Sequence, residues 1–347
     1  MNPEYRISRL RSFFLFVVAL IYAFLARLVA THAAHGLSGG DWYLVVDRVL
    51  LLFLLLVGFR ALGRVYRQAP GRTAPAHANG LVRRPGIGRE FGVGAATGWG
   101  LLLLTVLPSV FIGGLVVTVF TAPHQWSMLL LGTVVLLLDA LAVEVIFRGY
   151  PFQRLIDAVG PSLATLFMSL VFAIVYYTPD TPRAGVLVSF LLSWILCLGY
   201  LRTRALWLPW GLHFAWNAAM GLLFGLPISG YTRFSPVIQS YANGPDAVTG
   251  GYYGPGGSAV AFFVLLFGLW LILRVTREYA HRYAHPEIVP GGIPVDIDAI
   301  SRRQHEVAMG PAAAPAEKPL VQIGSLPPAS APPTPLREPD GPGIDRQ

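Results

Sequence analysis

The chain has 347 residues, 54% of them hydrophobic and only 13% charged, with a formal net charge of +8. Soluble globular domains carry about 25% charged residues, so the composition excludes an ordinary soluble globule and points to a multi-span membrane protein, with a mean hydropathy of +0.57. The basic excess is nearly all arginine and sits beside the apolar runs. That is the pattern of orientation signals, and no nucleic-acid partner is expected. The single cysteine, Cys197, lies in an apolar run, so disulfides play no part.

Runs of about 20 apolar residues, the length that crosses a bilayer core, occur eight times: at 12–31, 42–59, 92–121, 127–150, 161–177, 184–201, 205–228 and 258–275. The first is followed by HAAHGLSGGDW and a second span, which reads as an anchored helix and not a cleaved leader. Arg27 and Asp47-Arg48 fall near the outer ends of the first two spans, where they can pair or snorkel. Residues 1–60 are thus a two-span hairpin, and 61–90 a basic, Gly/Pro-rich linker. The third span carries Pro108 and Gly113-Gly114, the residues of a kink or a re-entrant break. Gly94-x-x-x-Gly98 and Gly221-x-x-x-Gly225 fit close helix packing. The fourth span continues through FQRLIDAV with a kink near Pro151, which places Glu144 well inside the membrane.

The stretch 229–257 is a Gly-rich outer loop, long enough for a lid or a connector. His281 and His285 follow the last span four residues apart, but two ligands do not close a zinc site. Residues 91–278 form the core, and 279–347, rich in Pro and Ala, read as a disordered tail. Arg6, Arg9, Arg11, Arg60, six arginines of the linker, Arg154, Arg202, Arg204, Arg274, Arg277 and Arg282 fall on one side, against Arg183 and Arg233 on the other. Both termini are therefore expected in the cytoplasm, in keeping with an even number of spans. The predicted fold is an all-α polytopic bundle of about eight transmembrane helices.

Two clusters could carry chemistry. Glu144 and Arg148, four apart in VEVIFRG, share a helix face and can pair. They read either as an ion pair holding helices in register or as a site, since ionisable groups in hydrocarbon are functional by default. His213 and Asn217, in GLHFAWN, are also four apart, and His213 alone of eight histidines lies in a predicted span. A buried histidine is often a packing residue, yet this pair has no water to satisfy it in a bilayer.

These motifs resemble those of the CPBP family, the CAAX prenyl endopeptidase and bacteriocin-processing (Abi) intramembrane proteases. The family pattern is Glu-Glu-x-x-x-Arg-Gly, Phe-x-x-x-His and His-x-x-x-Asn/Asp, met here by VEVIFRG, FAIVY (172–176) and HFAWN (213–217). The text around them, notably FRGYPFQRL and YLRTRALWLPWGLHFAWNAAMGLLFGLPISG, is similar to bacterial members over about residues 89–277, which implies a bacterial inner membrane. The resemblance implies peptide-bond hydrolysis at the membrane, with the first glutamate as general base on a water. It also implies a second glutamate paired with the arginine, a second-motif histidine at the water or a metal, and a His/Asn pair supporting the oxyanion. Glu144, Arg148, His213 and Asn217 match their positions, whereas Val143 replaces the base and Tyr176 the second-motif histidine.

A valine accepts no proton, and a tyrosine with a usual pKa of about 10 is a poor base and an unusual zinc ligand. General-base catalysis contributes about 10²–10⁴-fold, so hydrolysis is expected to be weakened or lost. Asp139 precedes Val143 by one turn on the same face, which makes it a candidate displaced base with Tyr176 as proton donor. Three functions follow: an active peptidase, a pseudo-protease binding a membrane peptide or partner, or a transporter or lipid-handling protein. The lack of an inverted repeat argues against the last. The partners expected are the bilayer and a prenylated or hydrophobic peptide. No cofactor is predicted; zinc enters only through the resemblance, with His213 the only intramembrane candidate ligand.

Overall fold

The computed structural model describes residues 3–65, 79–231 and 237–279. The 279–347 tail, with His281, His285 and His305, falls outside them except for its first residue, as do 66–78 of the linker, with His77.

The apolar runs fold as helices, because in hydrocarbon every backbone polar group must find its partner within its own segment. In chain order these are α1 (Pro3–Leu37), α2 (Tyr43–Val65), α3 (Ile87–Phe111), α4 (Pro123–Arg148), α5 (Tyr150–Val159), α6 (Pro161–Val175), α7 (Arg183–Thr203) and α8 (Trp207–Ala218). A π-helical turn at Ala219–Leu223, a short α9 (Asp246–Thr249), α10 (Ala259–Val275) and 3-10 turns at Gly40–Trp42, Gly251–Tyr253 and Pro255–Gly257 complete the helices among the described residues. This is the expected all-α membrane bundle, with one helix for each of the eight runs.

Its spans are less uniform than the composition implied. Five stretches are long and apolar enough to cross a membrane: Arg9–Leu37, Gly40–Arg64, Ile87–Phe111, Pro123–Val159 and Arg183–Thr203. The helices Pro161–Val175 and Ala259–Val275 are apolar but shorter, and α8 has 12 residues before its π turn. At about 1.5 Å per residue, these three fall short of a core about 30 Å thick.

Two further corrections come from backbone chemistry. The run 92–121 is not one helix: α3 stops at Phe111, Gly113 takes φ 65°, and β1 (Leu115–Val119) pairs antiparallel with β2 (Ile238–Ala242) of the outer loop. β-branched valines favour a strand there once the glycines have ended the helix. The bend after α4 lies at Gly149, whose N–H still bonds to the Val145 carbonyl at 3.2 Å, and not at Pro151. That proline occupies the first turn of α5, where a missing N–H costs nothing.

Packing forms two clusters. In one, Leu51, Leu55 and Phe59 of α2 and Phe16 of α1 share a core with Val145 of α4, Phe152 of α5 and Met168 of α6. The N-terminal hairpin is thus packed on the segment that carries Glu144. In the other, α3, α7, α8 and α10 meet around Leu101, Ile195, Leu212 and Leu265. Helix α3 packs closely on α8. A Cβ added at Gly94 would lie 2.1 Å from the Leu208 carbonyl oxygen, and one at Gly98 would lie 2.2 Å from that of Leu212. The Gly94-x-x-x-Gly98 spacing therefore works as read. The second such spacing does not: Gly225 lies beyond the helix at φ 61°, against the Ile238 carbonyl.

Gly98→Ala is expected to destabilise the bundle by about 1–3 kcal/mol, because two backbones must separate. Gly100→Ala, whose added methyl meets nothing within 4 Å, should leave stability unchanged or slightly raised. Thermal unfolding of both variants in detergent separates close packing from helix propensity.

Candidate functional site

Helix α4 presents two stripes. Asp139 and Val143, one turn apart, line a cavity of about 920 Å³ together with Tyr176, His213 and Asn217. Glu144 and Arg148 are on the adjoining stripe, each 0% exposed, behind that wall. Helical geometry turns neighbouring residues by about 100°, so the residue at 143 faces the cavity while 144 faces the packed interior.

Glu144 holds the centre. Its Oε1 accepts from Arg148 Nη1 at 3.4 Å and is 2.8 Å from His213 Nδ1. The pairing expected with Arg148 is present, but the histidine of the third motif is the nearer partner. An ionised carboxylate only accepts, so Nδ1 carries the hydrogen, and a neutral ring then has its Nε2 lone pair free. His213 lines the cavity. Glu144 Oε2 has no hydrogen-bond partner in the buried interior.

Arg148 is held by α7. Its Nη2 donates to the Ser193 hydroxyl at 2.6 Å and the Ser193 carbonyl at 3.1 Å. The guanidinium also lies 5.0 Å from the Phe172 ring centroid, a cation–π distance. Phe172, the aromatic residue of the second motif, stacks on Tyr176 at 4.5 Å and presents an edge to His213 at 6.4 Å. One ring thereby contacts the arginine, the tyrosine and the histidine. The register of α8 is fixed from outside: Trp210 Nε1 donates to the Leu137 carbonyl of α4 at 2.9 Å, and Gly98 lies against Leu212.

The cavity mouth is charged. Asp139, the candidate displaced base, has its carboxylate 2.6 Å from Arg48 Nε, close in charge although the N–H is not aimed at it. Arg48 also pairs with Asp47, which accepts from Thr31 at 3.0 Å and from Arg27 at 3.3 Å. Arg27 and Arg48 therefore pair as expected, but Arg48 also reaches across to α4. Ser229, Gly230, Tyr231 and Tyr253 of the outer loop line the same space. Ser229 and Gly230, at φ 52° and 85°, form the tight turn between Ile228 and Tyr231.

Zinc does not fit these residues. Among the described residues no three His, Cys, Asp or Glu side chains gather as donors. Arg148 and His213 already take Glu144 Oε1, and Arg48 takes Asp139. His213 is left with no companion ligands, too few for a site that needs three or four.

The sequence reading brought Glu144, Arg148, His213, Asn217, Asp139 and Tyr176 to one place. Two pairings that shape their chemistry were not read: Ser193 with Arg148, and Arg48 with Asp139. Ser193 is one of several hydroxyls in an apolar helix and carries no signal of its own. The reach of Arg48 to Asp139 could have been found, because Arg27 and Arg48 against Asp47 leave one positive charge that needs an opposite charge on another helix.

Arg148→Met is expected to cost about 3–5 kcal/mol, since it leaves the Glu144 carboxylate uncompensated in the interior. The double variant Arg148→Met/Glu144→Gln should recover more than half of that loss. Denaturant unfolding of the four proteins of this cycle measures the coupling.

Comparison with known proteins agrees with this arrangement. A family model described as Type II CAAX prenyl endopeptidase Rce1-like matches residues 123–219. No curated protein and no solved structure matches the chain. The matched segment runs from α4 to the turn after α8 and holds Asp139, Val143, Glu144, Arg148, Tyr176, His213 and Asn217, whereas Arg27, Asp47 and Arg48 precede it. Over residues 123–219 the chain is thus similar to the CAAX-type (CPBP) intramembrane protease family, and its five long apolar stretches are those of an integral membrane protein.

Proposed function

We propose that the protein binds a membrane-embedded apolar peptide in the cavity between α4, α6 and α8, and that its hydrolysis of peptide bonds by the family's route is weak or lost. The observation that carries this reading is the identity of the two side chains facing the cavity at the chemical positions, Val143 and Tyr176. Neither supplies a base, and the nearest buried carboxylate, Glu144, lies behind the wall, committed to Arg148 and His213. Asp139 faces the right way but is neutralised by Arg48.

The cavity itself is intact. Its volume of about 920 Å³ is in the range of small-molecule sites, and Val143, Ile146, Phe147 and Phe172 give it an apolar wall beside a polar end. Such a space suits an apolar chain with one polar group. The arginine distribution supports a cytoplasmic location for both termini, and the resemblance to bacterial members supports a bacterial inner membrane.

The purified chain in nanodiscs is expected to bind, but not cut, a panel of hydrophobic peptides. Val143→Glu/Tyr176→His should cut them at least about 10²-fold faster, the lower end of what a general base contributes. Peptide cleavage by the unaltered chain that disappears in His213→Ala would overturn the reading.

A further inference from the structure

We propose that the Glu144–His213 pair is itself a working base, and that the cavity hydrolyses carboxylic thioesters and activated esters of long apolar chains. The proposal rests on the reading that the cavity accepts an apolar chain, and it gives the polar end a reaction that the loss of the family's base does not abolish.

Three observations carry it. Glu144 Oε1 accepts the Nδ1 hydrogen of His213 at 2.8 Å, which fixes the ring and stabilises the cation formed when Nε2 takes up a proton. His213 lines the cavity, and with Nδ1 turned to Glu144 the nitrogen left for an occupant is Nε2. Among the described titratable groups of that wall, Asp139 is paired with Arg48, whereas His213 is paired only through Nδ1. Tyr176 and Asn217 line the same cavity and offer an O–H and an N–H to a developing oxyanion.

The reaction class follows from what one base can do. General-base assistance is worth about 10²–10⁴-fold, too little for an amide, whose hydrolysis demands accelerations far up the enzymatic range of about 10⁶–10¹⁷. A thioester or activated ester already has a good leaving group, so the same assistance gives measurable turnover.

In the step itself, a water gives a proton to His213 Nε2 while its oxygen attacks the acyl carbon, and the carbonyl π pair moves onto oxygen. Collapse of the tetrahedral intermediate breaks the C–S or C–O bond, and the departing thiolate or oxyanion receives the proton back from Nε2. The products are a carboxylic acid and a thiol or alcohol. Imidazole is restored and nothing is oxidised or reduced.

The test uses the full chain in nanodiscs of phosphatidylethanolamine and phosphatidylglycerol, with S-palmitoyl-N-acetylcysteamine and p-nitrophenyl palmitate as probes. Hydrolysis of both should exceed that of empty nanodiscs and fall at least 100-fold in kcat for His213→Ala, with KM little changed. Added imidazole should restore part of the rate in that variant, which a structural role of His213 would not allow. His213→Gln, which keeps an N–H for Glu144 and thus protects the fold, should lose the same activity.

No hydrolysis above background, or an undiminished rate in His213→Gln, would overturn the proposal. Binding of a fluorescent hydrophobic peptide, followed in the same samples, separates the two readings. Peptide bound without probe hydrolysis sinks only the base. Probe hydrolysis accompanied by peptide cleavage sinks only the loss of peptidase chemistry.

Discussion

A single carboxylate organises this protein. Glu144 is fully buried in a chain whose helices face hydrocarbon, and an unpaired charge there is costly by several kcal/mol. Two requirements follow from it. Arg148 must lie one turn along α4, and a donor must come from α8, which His213 provides at 2.8 Å. Each of those groups makes its own demand: Arg148 requires the Ser193 hydroxyl of α7 and the Phe172 ring of α6. The chain of compensation therefore joins α4, α6, α7 and α8, and holds the polar end of the cavity in place.

The backbone contacts around this centre act to keep its distances short. With no driving force to separate oil from oil inside a bilayer, helices associate through close packing and interhelical hydrogen bonds. Gly94 and Gly98 let α3 touch the carbonyls of α8, and the Trp210 indole locks α8 to α4. The π turn that follows Asn217, a feature frequent at functional sites, then carries the chain out of the bundle toward the outer loop.

Much of this could be read from the residues because helical spacing is strict. Pairs four apart, Glu144 with Arg148 and His213 with Asn217, share faces on any helix. Position 143 is turned away from 144 by the same rule. What could not be read was which helices are neighbours. Spacing gives the partner of Glu144 within α4, but its nearer partner is 69 residues away. The strands were hidden for a related reason: LVVTV is as apolar as a span, and its pairing with IQSYA across the outer loop is set by the glycines that stop α3. Helix lengths were also overdrawn, since hydropathy counts apolar residues whether or not the backbone stays helical, as in the stretch after Leu223.

The ion pair between Arg48 and Asp139 joins a residue inside the matched segment to one outside it. Asp139 lies in the segment recognisable as a protease core, and Arg48 in a hairpin that precedes it. The hairpin is therefore more than a tether: it furnishes one wall of the cavity and the counter-charge at its mouth. A core cut down to its recognisable segment would expose the apolar faces that now meet Leu51 and Phe59 and strand a carboxylate beside Val143. The matched segment begins after the residue that balances Asp139, and grafting that segment alone into another membrane scaffold would carry over the residues of the site without their electrical balance.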